Sequence, residues 1–359
     1  MSPELPDRTL PHETIKEMVS VIRPNWTVRE ANLADAGHTS VYHLSVDDGN
    51  GTGEYILKAS PDSKRRGIDT EARLMTIVDK HTSIPVPRVV GAVDKHDHLP
   101  SPFFIMAELP GKNLPLSDIK VLSDQALRRV AHETGKYLGE LHSLDGVNKF
   151  GVVDTKRTES LKGERPSGDI TELTVSNATT SWRETVGKYV DRELKHHKET
   201  RFNDLTPEIR DALETRLMSL SGPFIPVVAR IDHGLHNILI DTDTGRIEGV
   251  LDWAFTLSTT AGYDLVCVEF VLSASVWSRT DEVPDRRGLV REAILEGYES
   301  TAGEIPQEYH EHYELYDLLA YTRAMNHIES GVASVVRHNG NVNEAAEGVR
   351  KAVEEIVGI

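Results

Sequence analysis

The chain has 359 residues, of which 38% are hydrophobic and 27% are charged, and this ordinary globular composition excludes an intrinsically disordered protein. The formal net charge of −17 argues against a nucleic-acid partner, because proteins that bind nucleic acid carry a basic surface. No apolar run approaches the roughly 18 residues that a membrane-spanning helix needs, so no membrane association is predicted.

The cysteine content and the amino-terminal residues indicate a compartment. The first residues lack the basic and apolar regions of a secretory signal, and Cys267 is the single cysteine, which excludes an internal disulfide. Both features predict a cytoplasmic protein, which we expect to be a monomer or a homodimer. The acidic balance suits a cationic substrate attracted by long-range charge, or a salt-adapted cytoplasm, and both explanations stay open.

The first third of the chain predicts a short helix followed by antiparallel strands. Apolar residues have helical spacing over 9–23, and strand-like segments follow at 25–34, 40–47 and 54–60. The pattern continues with a helix over 67–81 and two strands over 84–94 and 101–109. Pro110 and Gly111 then interrupt it. We therefore predict an amino-terminal nucleotide-binding lobe over residues 1–108.

The remainder, residues 109–359, is predicted to form a mainly helical catalytic and acceptor-binding lobe. The amphipathic segments lie at 123–144, 181–197, 207–221, 263–275, 287–300, 307–330 and 341–357. The polar residues 146–178 predict an exposed excursion, and residues 237–252 predict a hairpin. The predicted class is α+β, a protein-kinase-like two-lobe fold with a small antiparallel-sheet lobe and a larger helical lobe.

Three oxygen-bearing side chains occur in the stretch "RIDHGLHNILIDTDTGRIEGVLDW", residues 230–253. The gap of five between Asp232 and Asn237 matches the catalytic loop of kinases, whose aspartate orients the attacking hydroxyl and accepts its proton. The hairpin that follows would bring Asn237 and Asp252 together, and hard oxygen ligands are those that Mg²⁺ prefers. The spacing therefore predicts Asp232 as the catalytic residue and the other two as metal ligands.

A nucleotide site is predicted from the amino-terminal lobe. Lys58 ends the third predicted strand, as does the phosphate-binding lysine of kinases, and Glu71 in the following helix can pair with it. The turn 35–40, which contains Gly37, would cover the phosphates through its backbone N–H groups. Taken singly, each residue is also typical of an ordinary strand end, helix surface or hairpin turn. Their order and spacing together predict a site for ATP or GTP.

These residues resemble the aminoglycoside phosphotransferase family, the branch of the kinase-like fold that acts on small molecules. The resemblance covers nearly the whole chain. It is carried by "IPVPRVV" (84–90), "FFIMAELPG" (103–111), "LGELHSL" (138–144), "IDHGLHNILID" with "GVLDW", and "AGYDLV" (261–266). It implies ATP or GTP and Mg²⁺ as cofactors, with adenine held by the backbone of Ala107 and Leu109. The implied acceptor is a hydroxyl-bearing small molecule, either an aminoglycoside-like antibiotic or an amino-alcohol or sugar metabolite.

The resemblance also implies where the acceptor binds, namely in the helical lobe near Asp232. Its candidate contacts are Trp182, Glu184, Asp264, Tyr316 and Glu329. Trp182 stands at the start of a predicted helix, and a role in the core is the alternative that we weigh equally for it.

Two alternatives stay open. Arg230 stands where the family has a histidine, and a cation there should lower the pKa of Asp232 and its basicity. That departure motivates the alternative of a non-catalytic nucleotide-binding pseudokinase that serves as a regulator or scaffold.

His233 and His236 could belong to a metal site, but Gly234 predicts a loop and no further ligand completes a zinc set. Packing within the loop is the favoured interpretation of both histidines.

Overall fold

The computed structural model describes residues 8–34, 39–49, 51–60, 67–157, 159–328 and 342–359. The chain divides into two compact units, which are named unit 1 and unit 2 below. Unit 1 comprises Met1–Pro110, Asp154–Thr174 and Gly249–Phe255, and unit 2 comprises Gly111–Val153, Val175–Glu248 and Thr256–Ile359. Within the described ranges, no helix is long and apolar enough to cross a membrane.

Unit 1 contains a five-stranded antiparallel sheet with the strand order β1-β2-β3-β5-β4, which confirms the predicted strands. The strands are β1 (Thr27–Leu33), β2 (Ser40–Asp47), β3 (Thr52–Ala59), β4 (Val89–Val93) and β5 (Phe103–Ala107). Leu57 and Ala59 of β3 belong to the hydrophobic core of this unit. Because side chains alternate across a strand, Lys58 projects from the opposite face of the sheet.

Two helices accompany this sheet. Helix α1 (His12–Ile22) buries its predicted apolar face, and its residues Ile15, Met18 and Val19 join the same core as β3. Helix α2 (Ile68–His81) follows β3 and begins after Gly67, which has a φ of 109° that favours glycine. The first turn of α2 carries Glu71, which brings that carboxylate into the same unit as Lys58.

Unit 2 is mainly helical, and the seven helices predicted after residue 109 are all present. They are α3 (Asp124–His142), α4 (Trp182–His197), α5 (Thr206–Ser219), α6 (Ala261–Leu272), α7 (Arg287–Ala302), α8 (Gln307–His327) and α9 (Val342–Val357). Helix α6 is buried on nearly every side and packs against α7 and α8. A helix that is buried on nearly all sides forms the centre of a helical unit, and α6 also carries the buried carboxylates Asp264 and Glu269.

Residues 146–178 are not the exposed excursion that the sequence predicts. They contain β6 (Phe150–Thr155) and β7 (Leu173–Thr179), which join β8 (Val227–Ala229) and β11 (Leu257–Thr259) in a sheet of order β7-β6-β11-β8. Leu257 of β11 pairs with Val152 of β6, about a hundred residues earlier in the chain. The prediction was wrong because this pairing is long-range and leaves no local periodic signal. The predicted hairpin is confirmed as β9 (Ile238–Ile240) and β10 (Ile247–Val250).

Candidate active site

Lys58 and Glu71 form a close ion pair in unit 1, as the sequence predicts. The Lys58 Nζ atom lies 2.9 Å from Glu71 Oε1 and 2.7 Å from Oε2, with the two side chains 14% and 2% exposed. Asp252 Oδ1 lies 3.7 Å from the same ammonium group. Burial alone would lower the pKa of Lys58, but the carboxylates of Glu71 and Asp252 outweigh it and raise that pKa. Lys58 is therefore positively charged at neutral pH, and the ion pair with Glu71 fixes its position.

The conformation of the chain around Asp252 presents its carboxylate. Asp252 has a φ of 57°, in the left-handed region that aspartate enters more easily than most residues. The next residue, Trp253, is buried and donates a hydrogen bond from Nε1 to the Val250 carbonyl at 3.0 Å. The buried indole anchors the turn, while 48% of the Asp252 side chain stays exposed beside Lys58.

The predicted adenine-binding residues lie at the end of β5. Ala107 and Leu109 are both partly exposed. The Ala107 N–H already donates a hydrogen bond to the Arg88 carbonyl at 2.9 Å, so a base at this position would use the Ala107 carbonyl. Gly37, the predicted glycine of the phosphate-covering turn, lies outside the described residues.

In unit 2, Asp232 and Asn237 are joined within one loop. The Asn237 Nδ2 group donates a hydrogen bond to the Asp232 backbone carbonyl at 2.9 Å and another to its Oδ2 at 3.3 Å. Since the amide nitrogen is used inside the loop, the amide oxygen remains as the accepting or ligating atom. Asp232 keeps 56% of its side chain exposed. The predicted gap of five residues thus brings the two side chains into contact.

Three side chains act on the carboxylate of Asp232. Burial would raise the pKa of Asp232, but the hydrogen bond and charge interaction with His236 and the guanidinium groups of Arg323 and Arg230 outweigh burial and lower that pKa. The His236 Nε2 atom lies 3.3 Å from Asp232 Oδ1. The direction that we predicted from Arg230 is confirmed, although His236 and Arg323 contribute more. Asp232 is therefore ionised at neutral pH and is a weak base.

Asp264 lies behind this loop and is fully buried. The backbone N–H of Arg230 donates to Asp264 at 3.0 Å from each oxygen, and His142 Nε2 lies 2.9 Å from Oδ2. His142 Nδ1 is in turn 3.1 Å from the Tyr298 hydroxyl. The structure thus places Asp264, a predicted acceptor contact, where it holds the start of the loop that carries Asp232. His142 was not among the residues predicted from the sequence, and the "LH" at the end of α3 was the one signal that pointed to it.

The partners of Trp182, Tyr316 and Glu184, three of the other predicted acceptor contacts, lie outside the loop of Asp232. Trp182 is 1% exposed and donates a hydrogen bond from Nε1 to the Tyr316 hydroxyl at 2.8 Å. Its indole packs against the rings of Phe150 and Tyr263 in the aromatic core of unit 2. Glu184 lies on the exposed surface of α4, 2.7 Å from Lys188 Nζ. Glu329 lies outside the described residues.

His233 is a packing residue of the loop. It is buried, and its Nε2 lies 3.3 Å from the Thr134 hydroxyl of α3. Burial, assisted by the charge of Arg230, lowers the pKa of His233 to about 3, so its ring is neutral at pH 7. In the part of the chain that the structure describes, no group of three or more histidine, cysteine, aspartate or glutamate side chains could hold a metal ion.

Asp232 is one of the residues that line a cavity of about 180 Å³ in unit 2. The wall of this cavity is formed mainly by residues of α6 and α8 together with the segment 274–277, and Arg323 of α8 belongs to it. Asp232, the predicted catalytic residue, therefore lies beside a space large enough for part of a small molecule.

Comparison with known families identifies one match over most of the chain. Residues 31–315 match the sequence model of the phosphotransferase enzyme family. The matched range includes Lys58, Glu71, Asp232, Asn237, Asp252 and Asp264, and it ends before Arg323 of the cavity wall.

Solved structures share the fold over nearly the whole chain. A protein of Ralstonia eutropha JMP134 that is classed with the aminoglycoside phosphotransferases is 14% identical, covers 98% of both chains and has a TM-score of 0.64. A thermostable mutant of APH(4)-Ia, in a ternary complex with ADP and hygromycin B, is 17% identical, with 96% and 98% coverage and a TM-score of 0.57. The predicted α+β, protein-kinase-like fold is thereby confirmed.

Two curated proteins are related over part of their length. Clavilactone A biosynthesis cluster protein Y of Ampulloclitocybe clavipes is 26% identical over 199 residues, which is 52% of this chain and 49% of that protein. IBR3 of Arabidopsis thaliana, a protein named for acyl-CoA dehydrogenase activity, is 24% identical over 116 residues, or 30% of this chain and 14% of that protein. The chain thus matches half or less of the length of either relative.

Proposed function

The chain belongs to the phosphotransferase enzyme family, which makes it a small-molecule kinase, and we propose that it transfers the γ-phosphoryl group of ATP or GTP to a hydroxyl of its acceptor with the help of Mg²⁺. The observation that carries this proposal is the loop of Asp232 and Asn237. It presents an ionised, accessible carboxylate in the wall of a cavity, next to an amide oxygen that the loop leaves available.

In the proposed reaction, Asp232 accepts a hydrogen bond from the acceptor hydroxyl and takes its proton. The hydroxyl oxygen forms a bond to the γ-phosphorus, the bond from that phosphorus to the bridging oxygen breaks, and the nucleoside diphosphate leaves. The lowered pKa of Asp232 makes the carboxylate a weak base. That suffices, because a loose phosphoryl-transfer transition state needs an oriented hydroxyl more than a strong base.

Lys58 is proposed to neutralise charge on the nucleotide phosphates. Its ammonium group is already positioned by Glu71, so little ordering remains to be done when the nucleotide binds. For the adenine ring we propose the Ala107 carbonyl and the Leu109 N–H as hydrogen-bonding groups. The phosphate-covering turn with Gly37 remains a prediction.

The donor groups suit Mg²⁺. Asp252 offers an exposed carboxylate, and Asn237 offers an amide oxygen whose partner nitrogen is engaged in the loop. Both are hard oxygen donors of the kind that Mg²⁺ prefers, and we propose both as its ligands. When bound, Mg²⁺ neutralises charge on the phosphate oxygens. The relatives solved with ADP and hygromycin B, or with GDP and kanamycin, support a nucleotide and a small hydroxylated acceptor here.

The experiment compares wild type with Asp232→Asn in a coupled assay of nucleoside diphosphate release, with ATP or GTP, Mg²⁺ and a panel of hydroxylated acceptors. Loss of a positioned base costs about 10²–10⁴-fold, so we expect acceptor-dependent turnover to fall by that factor in the variant. Asp191→Asn, an exposed position on α4, is the matched control. Equal turnover in wild type and Asp232→Asn would refute the assignment of Asp232. Nucleotide binding without turnover of any acceptor would favour a regulator or scaffold.

A further inference from the structure

The cavity at Asp232 has a mainly apolar wall. Phe270 and Val271 of α6, Trp277, and Leu319 and Ala324 of α8 form much of it. The volume of about 180 Å³ is about that of six waters in the liquid. The cavity therefore has room for a carbon chain or a ring of moderate size. A ligand that is densely substituted with ammonium and hydroxyl groups would lose hydrogen bonds to water here without replacing them. The wall therefore favours an acceptor with an apolar body.

Arg323 interrupts this apolar wall with a positive charge. Its side chain lines the cavity, and among the described residues none forms a hydrogen bond or an ion pair with it. The neighbouring Arg287 and Arg291 differ, because Glu269 pairs with both of them. A guanidinium group has five N–H donors in a planar fork that matches a carboxylate. The described chain thus leaves this fork available to a ligand.

The remaining polar groups of the wall are neutral. Burial raises the pKa of Cys267 to about 12 and that of Tyr263 well above its ordinary value, so both keep their protons. Burial lowers the pKa of His327, which leaves its ring uncharged at neutral pH. Among the described lining residues, Asp232 and Arg323 are therefore the charged pair, one at the reacting hydroxyl and the other a binding site for an anion.

We propose that the acceptor is a hydroxylated aliphatic carboxylate, whose carbon chain occupies the apolar cavity and whose carboxylate is bound by Arg323. This assignment rests on the proposed function, because it names the acceptor class of that same site. The acceptor's hydroxyl faces Asp232, and the proton and phosphoryl transfers are those already described.

The acidity of the whole chain does not oppose this assignment. Fixed charges are screened beyond about 8 Å at physiological ionic strength, so most of the net charge of −17 lies too far away to act in the cavity. Arg323 acts at contact distance, where an ion pair with a carboxylate is little screened. The same guanidinium group repels an ammonium ion brought close to it, which disfavours polycationic acceptors at this position.

The first test is a comparison of acceptors that differ in charge alone. Hydroxy carboxylates of four to eight carbons are assayed against amino alcohols of equal length and against kanamycin, with ATP and Mg²⁺. A charge-assisted contact is worth about tenfold or more, so kcat/KM should favour the carboxylate by at least that factor. Equal or better activity with the amino alcohols or kanamycin would overturn the inference and leave the proposed function intact.

The second test changes the arginine. Arg323→Gln should lower kcat/KM for the hydroxy carboxylate about tenfold at unchanged KM for ATP, and Arg323→Glu should shift the preference toward the amino alcohol. Arg210→Gln, an arginine of α5 outside the cavity wall, is the control and should match wild type. Arg323→Gln with wild-type kinetics would contradict the assignment.

A binding measurement separates the two proposals. Hexanoate lacks the hydroxyl and cannot be phosphorylated, so its binding reports on the cavity alone. The binding is measured by the change in fluorescence of Trp277, which lies in the cavity wall. We expect hexanoate to bind to wild type, and more weakly to Arg323→Gln, whereas hexylamine does not bind. Absence of hexanoate binding would overturn the acceptor class. Hexanoate binding without turnover of any acceptor would instead refute the proposed function.

Discussion

Asp264 binds the backbone of Arg230, whose N–H lies 3.0 Å from each of the two carboxylate oxygens. His142 Nε2 lies 2.9 Å from the same carboxylate, and this small network is buried. Arg230 is two residues before Asp232, so the network fixes the start of the loop that carries Asp232 and Asn237. Because the donor is the backbone N–H of residue 230, this contact does not depend on the side chain at that position. An arginine can therefore replace the family's histidine while the loop keeps its attachment to α6.

Asp264→Asn should weaken this attachment, because one accepting oxygen becomes an amide donor facing the Arg230 N–H or His142. We expect the free energy of unfolding to fall by about 1–3 kcal/mol, and kcat to fall about tenfold as the loop loosens. The KM for ATP should change little, since Lys58 and Glu71 belong to unit 1. Urea unfolding and steady-state kinetics measure these effects. Asp243→Asn in the exposed β9–β10 turn is the control, and wild-type behaviour of Asp264→Asn would exclude the positioning role.

Lys58→Met should affect both nucleotide binding and stability. It leaves the carboxylate of Glu71, which is 2% exposed, without its cation, and breaking a buried pair costs about 3–5 kcal/mol. Since Lys58 is 14% exposed, we expect the lower end of that range. Adding Glu71→Gln removes the stranded charge, so the double variant should regain stability without regaining ATP binding. Urea unfolding and calorimetric titration with ATP test this, and a double variant no more stable than Lys58→Met would contradict it.

His233→Gln should change how stability depends on pH. The folded-state pKa of His233 is lowered to about 3, whereas an unfolded histidine has a pKa of about 6.5. Between these values the unfolded chain binds a proton that the folded chain excludes, so wild type loses stability as the pH falls through that window. At pH 5 the loss from this residue is about 2 kcal/mol relative to pH 7.

The measurement is urea unfolding of wild type and His233→Gln from pH 4.5 to 7.5. Glutamine does not titrate, so the variant should show a shallower decline toward low pH, whatever its stability at pH 7. The carboxylates shared by both proteins cancel in the comparison. Parallel pH profiles would mean that His233 is not held neutral by the fold.

Gly135→Ala should destabilise unit 2, although alanine is the better helix former. A Cβ atom at Gly135 of α3 would lie 2.0 Å from the Ile294 carbonyl oxygen of α7, so the two helices would have to separate. Overpacking costs about 1–3 kcal/mol, which exceeds the gain in helix propensity of about 1 kcal/mol. Gly288→Ala, an exposed position of α7 with nothing within 4 Å, is the matched control and should be neutral or stabilising. Thermal unfolding of both variants decides between them.

Much of the fold and part of the site could be predicted from the sequence because the signals are local. The apolar spacing in α1 and α3 and the alternation in β2 are properties of short segments, and each segment has the structure that its period indicates. The contact of Asp232 with Asn237 is also local, since the two residues are five positions apart in one loop. The pairing of Lys58 with Glu71 needed one further step, namely a strand that leads into a helix.

Local patterns in the sequence were therefore enough to predict the class of the fold, most of its elements in their order, and the contact of Asp232 with Asn237. Tertiary structure alone decided that Trp182 is a core residue, that Asp264 positions Arg230, and that residues 146–178 contribute strands to a sheet. It also decided that Arg323 lies in the cavity at Asp232. The physical reason is the same in each case: these contacts join residues far apart in the chain, and a residue's neighbours across the fold leave no periodic pattern along its own segment.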